Sequence, residues 1–297
     1  MMKFYVSWYP GDPYYPFYDS DCSLLVSISS ISREWNIKHF PKLPHHLMVD
    51  SGGYRYAMKS KGEYLPKKSF ERQLAIISDT GIPSIICALD YPLINVGPDS
   101  NEKDRNIHQT IALAYELKNL IIQKNLSTNI IPMGIIQGDS PETVHHCAYE
   151  LRAIGFPVYG LGSMAFLNSH RLILERVKAV ISIIGVEKLH IFGISAVKTV
   201  LSLRNMGIHS IDSAKAAKAA AYNEIFYSHP FRRFGILEEQ GEVKGKIPVS
   251  RRLTEPLPCD CPACLEDPWQ ILGVGKRKNI RSRALHNYYH LKRTFFS

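Results

Sequence analysis

The chain has 297 residues, which suits one large α/β domain or a domain with an appendage. Hydrophobic residues make up 45% and charged residues 21%, an ordinary globular composition that excludes a largely disordered chain. A formal net charge of +9 favours a polyanionic partner. The N-terminus lacks the apolar segment of a signal peptide, and the longest apolar-rich stretch, residues 177–186, is too short to span a membrane. We therefore expect a cytoplasmic protein.

Short β-rich runs alternate with longer amphipathic patterns as far as Tyr222, which is typical of parallel βα units. The predicted strands are residues 4–8, 24–28, 47–50, 84–90, 131–137, 158–162, 188–193 and 208–212. The predicted helices are residues 70–80, 104–124, 141–154 and 170–184. Eight strands are enough to close a TIM-type (β/α)8 barrel, and we predict that fold for residues 1–230.

Three aspartates, Asp50, Asp90 and Asp212, each end a short apolar run. The carboxyl ends of barrel strands are where a parallel barrel collects its chemistry, so the three carboxylates are candidate functional groups. Each also has a structural interpretation, because aspartates often cap helices or end strands. The turn at Gly52 and Gly53 that follows Asp50 is open to both interpretations.

Beyond Tyr222 the pattern changes, and we predict a zinc-binding and basic region over residues 231–297, packed on the barrel. Three cysteines stand within six positions there, at Cys259, Cys261 and Cys264. Clustered thiols fit a structural zinc site in a reducing compartment better than a disulfide framework. Zinc needs a fourth ligand, for which the residues alone offer His286 and His290. The other cysteines, Cys22, Cys87 and Cys147, are isolated, and we predict that they are buried as small apolar residues.

The last thirty positions form a basic tail, since residues 268–297 contain no acid. Its basic residues are Lys276, Arg277, Lys278, Arg281, Arg283, Lys292 and Arg293. Aromatic residues interleave with these charges, which favours phosphate contact over a merely solvated helix face.

Several motifs together resemble the queuine/archaeosine tRNA-guanine transglycosylase superfamily, over about residues 47–289. They are Asp50-Ser51-Gly52-Gly53-Tyr54, Gly134-Ile135-Ile136-Gln137-Gly138, Tyr159-Gly160-Leu161-Gly162-Ser163-Met164-Ala165, Phe192-Gly193-Ile194, Ile211-Asp212-Ser213, and the Cys-x-Cys-x-x-Cys cluster with His286-Asn287. The resemblance implies exchange of one base for another on a nucleic acid, through a covalent aspartyl-glycosyl intermediate and without a nucleotide cofactor.

The resemblance also implies roles for single residues. Asp212 matches the nucleophile and Asp50 the general acid/base. Asp90 and Gln137 match residues that hydrogen-bond the guanine-like edge, helped by the backbone at Ser163 and Met164, and Tyr54 and Phe192 match the side chains that stack the base. Ser51, Gly52 and Gly162 belong to the same base-binding segments, and His286 matches the histidine ligand of a structural Zn2+.

The chain departs from the tRNA-modifying pattern after the nucleophile. A Thr-Arg-rich motif that grips the anticodon loop is replaced by a small-residue helix with only Lys215 and Lys218. Arg55 stands where glutamine is usual, and Ser163 replaces a glycine. These departures resemble the DpdA-like branch, which inserts a 7-deazaguanine such as preQ0 into DNA in bacteria and phages.

We therefore expect DNA and a 7-deazaguanine base as partners, in a bacterial or phage-infected cell. A homodimer or partner proteins from a modification gene cluster fit this expectation, and a membrane does not. Two alternatives stay open: action on tRNA, and a non-catalytic, zinc-stapled barrel that binds nucleic acid as an accessory subunit.

Overall fold

A computed structural model describes residues 2–32, 34–53, 66–77, 81–93, 100–126, 128–236 and 247–296. The chain forms two compact units. One comprises Met1–Tyr9 and Ser20–Ser213, and the other Pro10–Asp19 and Ala214–Ser297. The domain division predicted between residues 230 and 231 stays a prediction.

The first unit is a closed barrel of eight parallel strands, as predicted. The strands are β1 (Lys3–Ser7), β2 (Ser23–Ser27), β3 (His46–Asp50), β4 (Ser84–Cys87), β5 (Ile130–Ile136), β6 (Val158–Leu161), β7 (Leu189–Ile191) and β8 (Ser210–Ser213). Each strand pairs with the next in the chain, and β8 closes the ring by pairing with β1, with Tyr5 opposite Asp212. All eight predicted strands are present, within a few residues at each end.

The strands are short apolar runs because both faces of a parallel barrel sheet are covered. Every residue of β4 is buried, and so are the three central residues of β3. The isolated cysteines, Cys22, Cys87 and Cys147, are also buried, as predicted. Side chains thus fill the barrel, and chemistry is confined to the rim formed by the strand ends.

Five helices follow strands of the barrel: α1 (Pro66–Ile77), α2 (Ser100–Lys124), α3 (Pro141–Ile154), α4 (His170–Ile184) and α5 (Val197–Asn205). The bounds predicted for α3 and α4 are confirmed. Helix α3 starts with a capping box, in which the Ser140 side chain accepts from the Thr143 amide, and ends at Gly155 with φ of 79°. The sequence analysis did not predict α5, which begins after Ala196 without a side-chain cap.

The second unit contains α6 (Lys215–Ala221), a sheet of β9 (Glu224–Tyr227), β10 (Arg232–Ile236) and β11 (Arg252–Leu253), and the helices α7 (Pro262–Glu266) and α8 (Arg277–Phe296). Short 3-10 helices occur at Tyr15–Phe17 and Pro268–Ile271 in this unit, and at Ile37–His39 and Val186–Lys188 in the first. Another, Val249–Arg251, precedes β11.

Helix α8 carries much of the basic tail, and Arg283 within it is fully buried. Its guanidinium donates to the carbonyl oxygens of Ile271, Ala220 and Gly273 and to the Asn223 side chain. The prediction that Arg283 contacts phosphate is therefore wrong, because its donors join segments of the second unit. Lys276, Arg277, Lys278 and Arg281 are exposed.

Among the described residues, no helix is both long and apolar enough to cross a membrane.

A buried side-chain amide of α1 links this helix to β3 and β4, the strands that lead into Asp50 and Asp90. Gln73 Nε2 donates to the carbonyl oxygens of Val49 (2.9 Å) and Cys87 (2.8 Å). Val49 precedes Asp50, and Cys87 ends β4, three positions before Asp90. Gln73 thus holds the ends of β3 and β4 at a fixed separation, just before two of the three carboxylates.

We predict that Gln73→Met lowers the free energy of unfolding by about 1–3 kcal/mol, because it removes two buried hydrogen bonds at nearly constant volume. Urea denaturation followed by circular dichroism measures the change. The matched control is Gln109→Met at an exposed position of α2, which should stay within about 0.5 kcal/mol of the parent. Equal stability of the two variants would contradict a structural role for Gln73.

Candidate active site and metal centre

The three predicted carboxylates lie at the same rim of the barrel. Asp50 is the last residue of β3, Asp212 is the third residue of β8, and Asp90 follows β4. Parallel strands place their carboxyl ends together, which is why residues far apart in the chain converge. The negative charge of Asp212 acts on Asp50, and that of Asp50 acts on Asp90. The three therefore form one electrostatic group.

Asp212 is held by three groups, one at the end of β1, one in β7 and one just after β7. Ser7 Oγ donates to Oδ2 at 2.9 Å, and the Gly193 amide donates to Oδ1 at 2.8 Å. His190 Nε2 lies 3.3 Å from Oδ1. With the side chain almost fully buried, these contacts fix the carboxylate plane and leave Oδ2 with fewer partners than Oδ1.

The sequence analysis missed His190, although it had a signal. It is the one polar residue in the three-residue strand β7, and its side chain is fully buried. His190 Nδ1 lies 2.9 Å from Ser210 Oγ, and its ring packs edge-on against Phe192 with centroids 4.4 Å apart. A histidine amid apolar strand residues is often a satisfied core residue, and here it also contacts the Asp212 carboxylate.

Asp50 is set up to hold a proton. Burial raises the pKa of its carboxyl group, and the negative charge of Asp212 raises it further. Hydrogen bonds from Ser27 and from the Gly52 amide, 3.1 Å from Oδ2, oppose the shift without cancelling it. Gly52 has φ of 85°, a left-handed conformation that aims its amide back at Asp50.

Asp90 belongs to a chain of side-chain hydrogen bonds. Gln137 Nε2 donates to Asp90 Oδ2 at 2.5 Å, and Ser163 Oγ donates to Gln137 Oε1 at 2.6 Å. Ser51 Oγ lies 3.5 Å from Asp90 Oδ1. Burial and the charge of Asp50 raise the pKa of Asp90 to about 7, against the lowering effect of Gln137 and Ser51.

The remaining predicted base-binding residues lie near these groups where the structure describes them. Gly162 leaves room for the Gln137 amide, with which an added Cβ would collide, and its own amide donates to the Ile136 carbonyl at 2.9 Å. Met164 is buried, and Phe192 packs over Gly160. Tyr54 lies outside the described residues.

A second cluster lies in the other unit. The Sγ atoms of Cys259, Cys261 and Cys264 and a ring nitrogen of His286 all lie within 4.8 Å of one another. Three thiolates and one imidazole are a donor set typical of a closed, tetrahedral zinc site. The group can therefore hold a metal ion, consistent with zinc.

Hydrogen bonds distinguish the two candidate histidines. His286 Nε2 lies 2.7 Å from the Phe226 carbonyl, so it carries the proton and leaves the Nδ1 lone pair facing the sulfur atoms, 3.3 Å from both Cys261 and Cys264. His290 Nδ1 instead accepts from the Ser228 amide at 3.0 Å. Its Nε2 must then carry the proton, and it donates to Cys259 Sγ at 3.2 Å. We assign His286 as ligand and His290 as an orienting donor.

The pKa shifts of the thiols are those expected of a site that can hold a cation. Hydrogen bonds from Cys261 and Cys264 lower the pKa of Cys259. The same contact raises the pKa of both partners, so one thiolate opposes the ionisation of the next. A divalent ion would remove this conflict, because its charge stabilises all three cysteines as thiolates.

A model of the family described as queuine tRNA-ribosyltransferase matches residues 25–297. The chain belongs to this family. A search of the curated proteins found no match.

This queuine tRNA-ribosyltransferase family member is therefore a guanine transglycosylase, a pentosyltransferase, with a nucleic acid and a guanine-type base as its substrate classes.

We predict that His286→Ala abolishes stoichiometric zinc binding, whereas His290→Ala keeps one zinc per chain with affinity lowered about 10–100-fold, the usual effect of losing an orienting partner. Zinc content by mass spectrometry and competition with a chromophoric chelator measure the two effects. His145→Ala, at an exposed position of α3, is the control. Loss of zinc from His290→Ala with retention in His286→Ala would reverse the assignment.

Proposed function

We propose that the protein replaces guanine in DNA with a 7-deazaguanine base such as preQ0, through a covalent bond to Asp212. The observation that carries the chemistry is the convergence of three carboxylates with unequal surroundings. Asp212 is surrounded by hydrogen-bond donors, whereas the pKa values of Asp50 and Asp90 are raised. Different proton affinities at neighbouring carboxyl groups are what separate nucleophilic and acid/base roles.

In the first half-reaction, Asp212 Oδ2 attacks the anomeric carbon of the target nucleotide. The new bond joins that carbon to Oδ2, and the glycosidic bond to the guanine nitrogen breaks with its electron pair on the base. Asp50 supplies the proton that the departing guanine takes up. Its raised pKa suits this step because it favours the protonated carboxyl group, which is the form that delivers the proton.

In the second half-reaction the incoming base displaces Asp212. Asp50, now a carboxylate, takes the proton from the ring nitrogen of the base, and that nitrogen attacks the anomeric carbon. Two displacements at one carbon restore the original configuration, as in retaining glycosidases. No nucleotide cofactor is needed, since one glycosidic bond replaces another.

Asp90 and Gln137 read the edge of the base. An ionised Asp90 accepts hydrogen bonds from the ring N–H and exocyclic amine of a guanine-type base, and Gln137 Nε2 donates to its carbonyl oxygen. Phe192 flanks the base, and Tyr54 is proposed as its partner on the other face. A base inside a duplex must be flipped out to reach this rim.

The choice of DNA over tRNA rests on the segment after Asp212. Helix α6 is mostly alanine, and Ala216, Ala219 and Ala220 are buried within the second unit. Lys218 is its one exposed basic residue, and the pKa of Lys215 is lowered by burial. A helix with this composition lacks the threonine and arginine side chains that grip an anticodon loop in tRNA-modifying relatives. Four exposed basic residues of the tail, Lys276, Arg277, Lys278 and Arg281, are proposed phosphate contacts.

Action on tRNA is the second candidate, because the matching family is described by a tRNA activity. A non-catalytic accessory role is disfavoured because Asp50, Asp90, Gln137 and Asp212 are all present at one rim.

We predict that Asp212→Ala lowers base exchange at least about 1,000-fold without changing folding or zinc content, because it removes the attacking atom. The protein is incubated with preQ0 and either guanine-containing DNA or unmodified tRNA, and the nucleosides are measured by mass spectrometry. Asp104→Ala, at an exposed position of α2, is the matched control.

Deazaguanine in DNA supports the proposal, whereas incorporation into tRNA alone would replace it with the second candidate. Exchange that survives in Asp212→Ala would contradict the nucleophile assignment. Silence on both substrates would favour the accessory role.

The ionisation of Asp90 predicts how base binding depends on pH. Its raised pKa of about 7 means that the carboxyl group is protonated below that pH and accepts N–H donors only above it. We expect the Kd for free guanine to rise as the pH falls below 7, by up to about tenfold per pH unit. Calorimetric titration between pH 5.5 and 8.5 measures this, and Asp90→Asn should bind weakly with a flat profile. A pH-dependent Asp90→Asn would assign the titration to another group.

A further inference from the structure

Ser163 is one of four described non-glycine residues with positive φ, at 58°, in the loop after β6. Most side chains avoid this left-handed conformation, which a glycine adopts freely. The backbone conformation sets the direction of the Ser163 side chain. Its hydroxyl group lies between the Gln137 side chain and the backbone amide of Leu93. The strained position therefore places a polar group within the base-reading network.

Two partners in this network have a fixed hydrogen-bonding character, the Leu93 amide as a donor and an ionised Asp90 as an acceptor. The Leu93 amide can only donate, so Ser163 Oγ accepts it, at 3.0 Å. The Ser163 hydroxyl hydrogen is then available for Gln137 Oε1 at 2.6 Å. With its oxygen engaged by Ser163, the Gln137 amide presents Nε2 to Asp90. With the Leu93 amide at one end and Asp90 at the other, the Ser163 hydroxyl donates to the Gln137 oxygen.

We propose that Ser163 is a positioning residue that locks the Gln137 amide as a donor, so that the site selects bases with a ring carbonyl over bases with an exocyclic amine at that edge. This inference rests on the proposed function, because it takes a guanine-type base as the ligand. Gln137 Nε2 carries a second hydrogen that Asp90 does not accept. A base with an acceptor at that edge can take this hydrogen. An amine there would put donor against donor, leaving both groups unpaired.

Two neighbouring residues affect the orientation of the Gln137 amide. Gly162 provides the space that the Gln137 amide fills, so the amide lies close against the backbone. Asp90 has a raised pKa of about 7, and in its protonated form it could donate to a rotated Gln137 oxygen. The hydroxyl of Ser163 opposes that rotation because it would lose its acceptor. The serine therefore keeps the amide in one orientation across the pH range in which Asp90 titrates.

The test compares Ser163→Ala and Ser163→Gly with Ser163→Thr and the parent protein. Alanine and glycine both remove the hydroxyl group, and glycine also tolerates the positive φ, so a folded variant without the hydroxyl is available. Threonine keeps the hydroxyl group. Ser182→Ala, at an exposed position of α4, is the control. Dissociation constants are measured for guanine and for 2,6-diaminopurine, which carries an amine in place of the carbonyl oxygen.

We expect the parent to prefer guanine, and the Ala and Gly variants to lose about tenfold or more of that preference, with threonine restoring it. In exchange assays the change should fall on the KM for the base and leave kcat nearly unchanged. Gln137→Leu should lose the same part of the preference, the rest coming from the ring N–H that Asp90 accepts and that 2,6-diaminopurine lacks, and adding Ser163→Ala to it should change nothing further.

An equal loss of affinity for both bases in Ser163→Gly would show a structural role for the hydroxyl group and overturn the inference. The inference would also be overturned if the parent binds guanine and both variants keep its preference for guanine. That result would leave the proposed function intact. A parent that binds neither base would overturn the proposed function and the inference together.

Discussion

The pairing of β8 with β1 is the constraint on which the site depends, because it closes the barrel and places Asp212 opposite Tyr5. Closure in this register brings Ser7, at the end of β1, within hydrogen-bond distance of a carboxylate 205 positions later in the chain. A shift by one residue would turn Asp212 to the other face of the sheet. The position of the carboxylate is therefore a consequence of barrel geometry, and it needs no flexible loop.

Concentrating three aspartates at one rim has an electrostatic cost, which the site manages by giving each a different set of partners. Asp212 receives donors from a backbone amide, a serine and a histidine. Asp50 and Asp90 instead have raised pKa values, because burial opposes the ionisation of both, together with the charge of Asp212 at Asp50 and that of Asp50 at Asp90. Neighbouring carboxyl groups are in this way given different surroundings, which suits them to different roles.

The sequence predicted the features that follow from local pattern. Apolar runs in the sequence predicted all eight strands. The end of each run marks the end of a strand, which is why the positions of the candidate aspartates near strand ends could be predicted. The partners of those aspartates were not predictable in the same way. His190 lies inside an apolar strand, where its contact with Asp212 depends on which strand is adjacent. Arg283 looked like a phosphate ligand from its basic neighbours, yet the helix phase buries it against three carbonyl oxygens.

Residue type sets what a side chain can do, and a backbone partner decides which of its options is used. The two histidines of the metal centre stand four positions apart on α8, and one is turned into a ligand and the other into a donor by the Phe226 carbonyl and the Ser228 amide. The Gln137 amide is held between Asp90 at its nitrogen and Ser163 at its oxygen, and Ser163 in turn accepts from the Leu93 amide. Backbone groups cannot change their donor or acceptor character, so they are the fixed reference from which ambiguous side chains take their roles.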